Sequence, residues 1–212
     1  WDKRYLDGKV YTQGAVEAAQ KYVPELRAKG ANIVVALLHG GLDGADYSQT
    51  MENPGLYLSK VPGIDALVMG HQHSVFPDAA ATPAFTQAGV DNKAGTVNGV
   101  PSVMPSSWGK ALGVIQLPLA WDGKAWSVTK GASKSELRNI LTGKDAAGKA
   151  TYVDVDATIA PLIETQHQAA ITYVKTPIGS TCFRMRTLFA DVGDPGSIQL
   201  VNQAHRDYVA AY

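Results

Sequence analysis

The chain has 212 residues, 45% hydrophobic and 18% charged, which is enough apolar material for one sizeable core or two small ones. Lys+Arg and Asp+Glu stand at 19 each, so the chain lacks the basic surface that tracks a polyanion by counterion release, and a nucleic-acid polymer is excluded as partner. No apolar run approaches the roughly 20 residues of a membrane span, and the single cysteine, Cys182, excludes an internal disulfide or a thiolate metal cluster and is expected to be a packed thiol.

The sequence begins at Trp1-Asp2 with no initiator Met and no leader, which predicts a processed or cut N-terminus. From Thr12 to Lys29 the residues Val16, Ala19, Val23 and Leu26 fall at helical spacing; Gly30 sits at the C-terminal cap, and Pro24 predicts a kink or break. Ala31 to Leu38, β-branched and aliphatic apart from Asn32, reads as a strand buried on both faces, ending on His39-Gly40-Gly41. Asn53-Pro54 predicts an N-cap and a short helix through Leu58. A second buried strand, Ile64 to Met69, runs into Gly70-His71-Gln72-His73. Strand, helix and strand make one βαβ unit, whose parallel strands deliver both histidine loops to the same edge of a sheet.

Asp78 to Val97, rich in Ala, Thr, Gly and Pro, predicts a long surface excursion without regular structure. Val100–Met104, Leu112–Trp121 and Lys124–Thr129 read as strands closing the domain in antiparallel sheet, the last two joined by Asp122-Gly123. Gly143 to Gly148 predicts a polar hinge, and Asp156 caps a helix with Ile159, Ile163, Ala170 and Val174 on one stripe. A strand-like piece at Pro177-Ile178-Gly179 precedes Asp194-Pro195, which opens a last helix carrying Ile198, Val201, His205, Tyr208 and Tyr212.

The pair His71 and His73 carries the chemistry. Two imidazoles separated by one residue, in a tight loop after a buried strand, project toward neighbouring ions, whereas the bland alternative is two surface histidines. His39 alone reads as a hydrogen-bonded structural residue, but its place on the same edge makes it a third candidate ligand. Three histidines on one zinc, as in a one-metal hydrolase, is a further reading that needs all three to converge. Asp43, Asp46 and Asp78 lie near these loops and read as solvated surface carboxylates. His167 and His205, on helix stripes, read as packing histidines. Cys182 and Arg186 have no assigned role.

Ala36-Leu37-Leu38-His39-Gly40-Gly41 with Gly70-His71-Gln72-His73 resembles the calcineurin-like metallophosphoesterases, especially the 5'-nucleotidase branch. Val61-Pro62-Gly63-Ile64-Asp65, Ser74-Val75-Phe76-Pro77, Val100 to Pro105, Asp194-Pro195 and Val201-Asn202-Gln203-Ala204 extend the resemblance along essentially the whole chain. It implies hydrolysis of small nucleotide substrates, 2',3'-cyclic nucleotides and 3'-nucleotides, in the periplasm or outside the cell. It also implies two divalent ions, Mn, Zn, Co or Fe, bridged by a carboxylate, with His39 and His71 on one ion and His73 on the other. The family's Asp-x-His motif, bridging Asp and Asn-His-Glu motif with its catalytic histidine have no counterpart here, so no catalytic residue is assigned. Trp108 aligns near the metal loops as a candidate substrate contact, against ordinary packing. Asn53 is a candidate phosphate contact, against N-capping.

The expected fold is α/β: a partial metallophosphoesterase sandwich, made of the βαβ unit plus antiparallel strands, followed by a linker helix and the start of a second α/β domain. The expected organisation is residues 1–134 as the C-terminal half of a catalytic domain, 135–175 as hinge and linker helix, and 176–212 as the opening of a 5'-nucleotidase-type domain. The chain is thus expected to be a fragment whose activity belongs to a full-length parent. The alternative is a non-catalytic binding module without a complete metal site. Uncovered apolar faces and a free strand edge predict self-association.

Overall fold

The computed structural model describes residues 3–129 and 131–211, which divide into two compact units, Trp1–Val153 and Asp154–Tyr212. In the first unit a short helix α1 (Lys3–Leu6) precedes α2 (Ala15–Ala28). The stripe on α2 delivers Val16 and Val23 to the core, while Leu26 stays half exposed. Pro24 does not break the helix, which continues to Ala28, and Gly30 takes φ 97° just beyond it. Arg27, in the last turn, donates to Asp65 Oδ2 at 2.5 Å and to the Gly63 carbonyl at 2.8 Å, and the same Asp65 oxygen accepts the Val34 N–H at 2.7 Å. One carboxylate therefore pins the end of the helix to the starts of the next two strands.

Those strands are β1 (Val35–Leu38) and β2 (Ala66–Met69), with α3 (Gly55–Leu58) between them. They pair in parallel, Val35 opposite Ala66 through Leu38 opposite Met69, as the βαβ reading requires. β2 is buried nearly throughout, but β1 is not buried on both faces: Val35 and Leu37 are exposed, Leu37 by 80%. Among the described strands β1 pairs only with β2 and forms the sheet edge, so only Ala36 and Leu38 pack against the core. The expectation of a doubly buried strand fails because hydrophobicity alone does not say which faces are covered.

β3 (Val75–Phe76) follows the second histidine loop, and β4 (Val90–Asp91) and β5 (Thr96–Val97) form a hairpin inside the stretch expected to lack structure. That stretch is no mere surface excursion. Val97 is fully buried and Phe85 nearly so, and the Asn92 side chain ties the loop together by donating to the Phe85 carbonyl and accepting the Asp78 N–H. Two isolated apolar anchors leave no periodic signal. β6 (Val100–Pro105) is the hub of the six-stranded sheet, ordered β1-β2-β6-β5-β4 with β3 also paired to β6. It runs parallel to β2 and antiparallel to β3 and β5, so it is both a third parallel strand and the start of the antiparallel part of the sheet.

The strand expected over Leu112–Trp121 divides at Leu117-Pro118 into β7 (Ala111–Gln116) and β8 (Leu119–Trp121), as Pro118 has no N–H for a ladder. β8 and β9 (Trp126–Val128) form the expected hairpin, with Asp122 Oδ1 accepting the N–H groups of Lys124 and Ala125 at 2.8 Å. β7 pairs with β10 (Lys134–Asn139), and β11 (Leu141–Lys144) with β12 (Ala150–Tyr152). Both pairs lie in the first unit, and the Gly143–Gly148 segment, expected as a polar hinge, is part of the β11–β12 hairpin. Gly113 on β7 lies so close to Val103 that an added Cβ would sit 3.0 Å from its side chain, which brings the β7–β10 layer down onto β6. Between the layers an apolar hollow of about 400 Å³ is lined by Val35, Val68, Val103, Leu112 and Ile115.

In the second unit, Asp156 accepts the N–H groups of Thr158 and Ile159 ahead of α4 (Ala160–Lys175), and α5 (Gly196–Ala210) follows Asp194-Pro195. Pro177-Ile178-Gly179 forms no strand, and the described residues of this unit contain none. Neither helix buries a residue: His167 and His205 are exposed rather than packed, and Cys182 is exposed rather than a buried thiol. Arg186 contributes its carbonyl to the Ser197 hydroxyl at 2.6 Å. Tyr212, the last position of the expected stripe, lies outside the described residues, as do Trp1 and Asp2.

Candidate metal centre

The three parallel strands β1, β2 and β6 end on one edge, and each hands its chain to a polar loop there. β1 leads to His39, β2 to His71 and His73, and β6 to Ser106 and Trp108. The rings of His39 and His71 meet edge to face with centroids 5.2 Å apart. His73 turns to the other neighbour, its ring 5.7 Å from the Trp108 indole. The structure thus divides the histidines two and one.

The backbone at this edge is unusual. Of the six non-glycine residues with positive φ among those described, four lie here: His71 (68°), His73 (56°), Ser106 (63°) and Trp108 (55°). Each costs on the order of 1 kcal/mol or more, and such strain concentrates where a side chain must be aimed. The loops brace one another to sustain it. The Ser106 N–H donates to the Ser74 carbonyl at 3.0 Å and its hydroxyl to the His73 carbonyl at 3.3 Å. Gln72, between the histidines, accepts the Leu42 N–H at 2.8 Å and donates to the Leu42 carbonyl at 3.1 Å. That clasp crosses directly over Gly41, where any Cβ would overlap the Gln72 amide, so a side chain at the second glycine after His39 would displace the clasp.

Asn53 does not cap α3: no side-chain cap bond forms, and its Oδ1 accepts the Gly41 N–H at 2.9 Å instead. It fastens the first histidine loop. Its neighbour Glu52, which the sequence reading did not single out, accepts a hydrogen bond from His71 Nε2 at 2.7 Å. Topology offered a signal for it: the residues just before the crossover helix of a βαβ unit return to the edge where the first strand ends. Asp43 and Asp78 spend a carboxylate oxygen on nearby backbone, at the N–H groups of Ala45 and Ala80. Trp108 is not a packed tryptophan. It is 85% exposed, with Lys110 Nζ 4.8 Å from its ring centroid. An open groove of about 570 Å³ beside it is lined also by Ser106, Asn139, Ile140 and Tyr152.

Two imidazoles in ring contact with a third nearby fit the nitrogen share of a divalent-metal site. The donor set is incomplete: among the described residues no group of three or more His, Cys, Asp or Glu side chains is arranged to hold an ion. A single zinc on all three histidines finds no support in that arrangement.

The fold is similar to that of part of a calcineurin-like phosphoesterase. The crystal structure of the calcineurin-like phosphoesterase YfkN from Bacillus subtilis matches with a TM-score of 0.68 at 37% identity, over 83% of this chain and 49% of that one. The chain is 42% identical over 209 residues to the 2',3'-cyclic-nucleotide 2'-phosphodiesterase/3'-nucleotidase of Salmonella typhimurium, which is 99% of this chain and 31% of that protein. It is 41% identical over 211 residues to the Haemophilus influenzae protein of the same name, with the same coverage, and 39% identical over 211 residues to the Bacillus subtilis trifunctional nucleotide phosphoesterase YfkN, of which it covers 13%. The chain therefore spans about a third or less of the length of the curated relatives it matches. No family model matches it.

Proposed function

We propose that this chain supplies the histidine half of a two-metal site in a hydrolase acting on 2',3'-cyclic nucleotides and 3'-nucleotides, His39 and His71 serving one ion and His73 the other. The observation that carries the reading is the two-and-one division of three histidines on a braced, strained edge, in a chain about 40% identical to enzymes named for that activity. When bound, a pair of divalent ions supplies a hydroxide near neutral pH and stabilises charge on phosphoryl oxygens. The residues of this chain hold and orient. With Asn53 Oδ1 committed to Gly41, its amide NH2 is the part that remains to face a phosphoryl oxygen, and the exposed Trp108 face offers the substrate a flat apolar surface. Residues 1–134 on this reading belong to the catalytic domain and 176–212 open a further one. The metal is Mn, Zn, Co or Fe, and the location is periplasmic or secreted, which cell fractionation checks.

Activity on this reading requires carboxylates beyond Glu52, and among the described residues no group of three or more candidate ligands forms at the edge. The chain by itself is expected to bind Mn²⁺ weakly and to release no phosphate from 2',3'-cyclic AMP or 3'-AMP above background. Calorimetric titration and a phosphate-release assay on mass-verified chain test this, and two tight sites with clear turnover would refute the half-site. A non-catalytic binding module is favoured by one observation, the incomplete donor set. Phosphodiesterase activity in a chimera carrying this chain separates the two readings.

A further inference from the structure

Glu52 adds nothing to the core. Its side chain is 75% exposed, and an exposed polar contact of this kind contributes little to stability. Yet its loop is held at several points. Asn53 is fastened to Gly41, and the Tyr57 hydroxyl donates to the Ala45 carbonyl at 2.7 Å. The Tyr47 hydroxyl donates to Glu17 on α2 at 2.6 Å, while its ring rests 5.1 Å from that of Tyr57. A loop fixed in this way presents one carboxylate oxygen to one imidazole nitrogen.

An ionised carboxylate only accepts, so Nε2 of the His71 ring carries a hydrogen, and in the neutral ring, the form that ligates a cation, Nδ1 keeps its lone pair. A ligating imidazole works in this fashion, one nitrogen bare and the other hydrogen-bonded so that the ring cannot swivel. The left-handed backbone at His71 sets the base of the ring, and His39 touches one flank. Glu52 holds the far end. We propose that Glu52 is a positioning residue that fixes the His71 imidazole with Nδ1 open to a divalent cation. The inference rests on the reading of His71 as a ligand.

Nitrogen-15 NMR of the histidine rings of the 212-residue chain, with and without Zn²⁺, tests it. The expected result is an exchange-protected Nε2–H signal for His71 that persists while Zn²⁺ shifts Nδ1. Glu52→Ala should lose that protected hydrogen and weaken Zn²⁺ binding at His71 by about 10–100-fold, with the thermal midpoint unchanged, and Glu52→Gln should recover part of both. A Zn²⁺-induced shift at Nε2 would overturn the positioning role and leave ligation standing. No response at either nitrogen would end the ligand reading and this inference with it. An unaltered ring signal and Zn²⁺ affinity in Glu52→Ala would overturn the positioning role alone.

Discussion

β1 and β2 lie side by side in parallel register, each four residues long and each followed at once by the histidine edge, yet they differ in support. Leu67 of β2 has no exposure, whereas Leu37 of β1 is 80% exposed. β2 has a paired strand on either side, and β1 has one. Place in the sheet, rather than hydrophobicity, decides burial. It follows that His71 and His73 stand on the firm strand, while His39 stands on one with an open edge.

The comparison breaks most sharply at the leucines. Leu67→Ala should destabilise the chain by about 2–5 kcal/mol, as large-to-small changes in a closed core do. Leu37→Ala should stay within about 0.5 kcal/mol, as at other exposed positions, and urea unfolding of the two variants measures the contrast. Next comes the joint from which both strands start. Asp65→Asn weakens the Arg27 ion pair and the bond to the Val34 N–H together, and should cost about 1–3 kcal/mol in the same assay.

The open edge also sharpens the comparison in solution. Unpaired backbone beside exposed Val35 and Leu37 favours pairing between copies. Sedimentation velocity should therefore show association that rises with concentration and falls in Leu37→Lys; a monomer at all concentrations in both would show the edge to be harmless.

The smallest effect concerns the loop joining the strands. The Glu17 carboxylate accepts the Tyr47 hydroxyl hydrogen, which pushes the phenol up to about 12 and lowers Glu17 below the usual carboxylate range. A raised phenol contributes stability below its ordinary value near 10 that is lost as pH rises through about 12. The lowered carboxylate contributes above its ordinary value, and that share is lost as pH falls through its folded value. The contact is thus complete in the window between the two ordinary values. Ultraviolet titration should show a late-titrating phenol that is lost in Tyr47→Phe.

Much of this edge was legible in the sequence because it follows from pattern. Apolar runs ending on His39 and on His71-Gln72-His73, with a helix between, dictate parallel strands and a shared edge. What pattern could not disclose was cover and long-range pairing. The open face of β1, the parallel placement of β6 and the burial of Phe85 and Val97 depend on which surfaces meet. The stripes on α4 and α5 were correctly read as helical, yet neither helix buries a residue. At the site, the Asn53-Pro54 pair predicts a cap, whereas the Asn53 side chain reaches across twelve residues to Gly41. Glu52 and Gln72 were missed because both act on partners 19 and 30 residues away.

Whether this chain's histidine edge serves a nucleotide phosphoesterase is tested by exchanging it into a working relative. In a chimera of the Salmonella typhimurium enzyme whose matching 209-residue segment is replaced by this one, turnover of 2',3'-cyclic AMP is the quantity to measure, with each of His39, His71 and His73 changed to Ala in turn. The account predicts an active chimera that loses more than about 100-fold in turnover with each change while its thermal midpoint holds, since loop ligands carry chemistry rather than core. Turnover within a few-fold of the unsubstituted chimera for any one of the three would contradict the assignment of that histidine, and for all three would contradict the account.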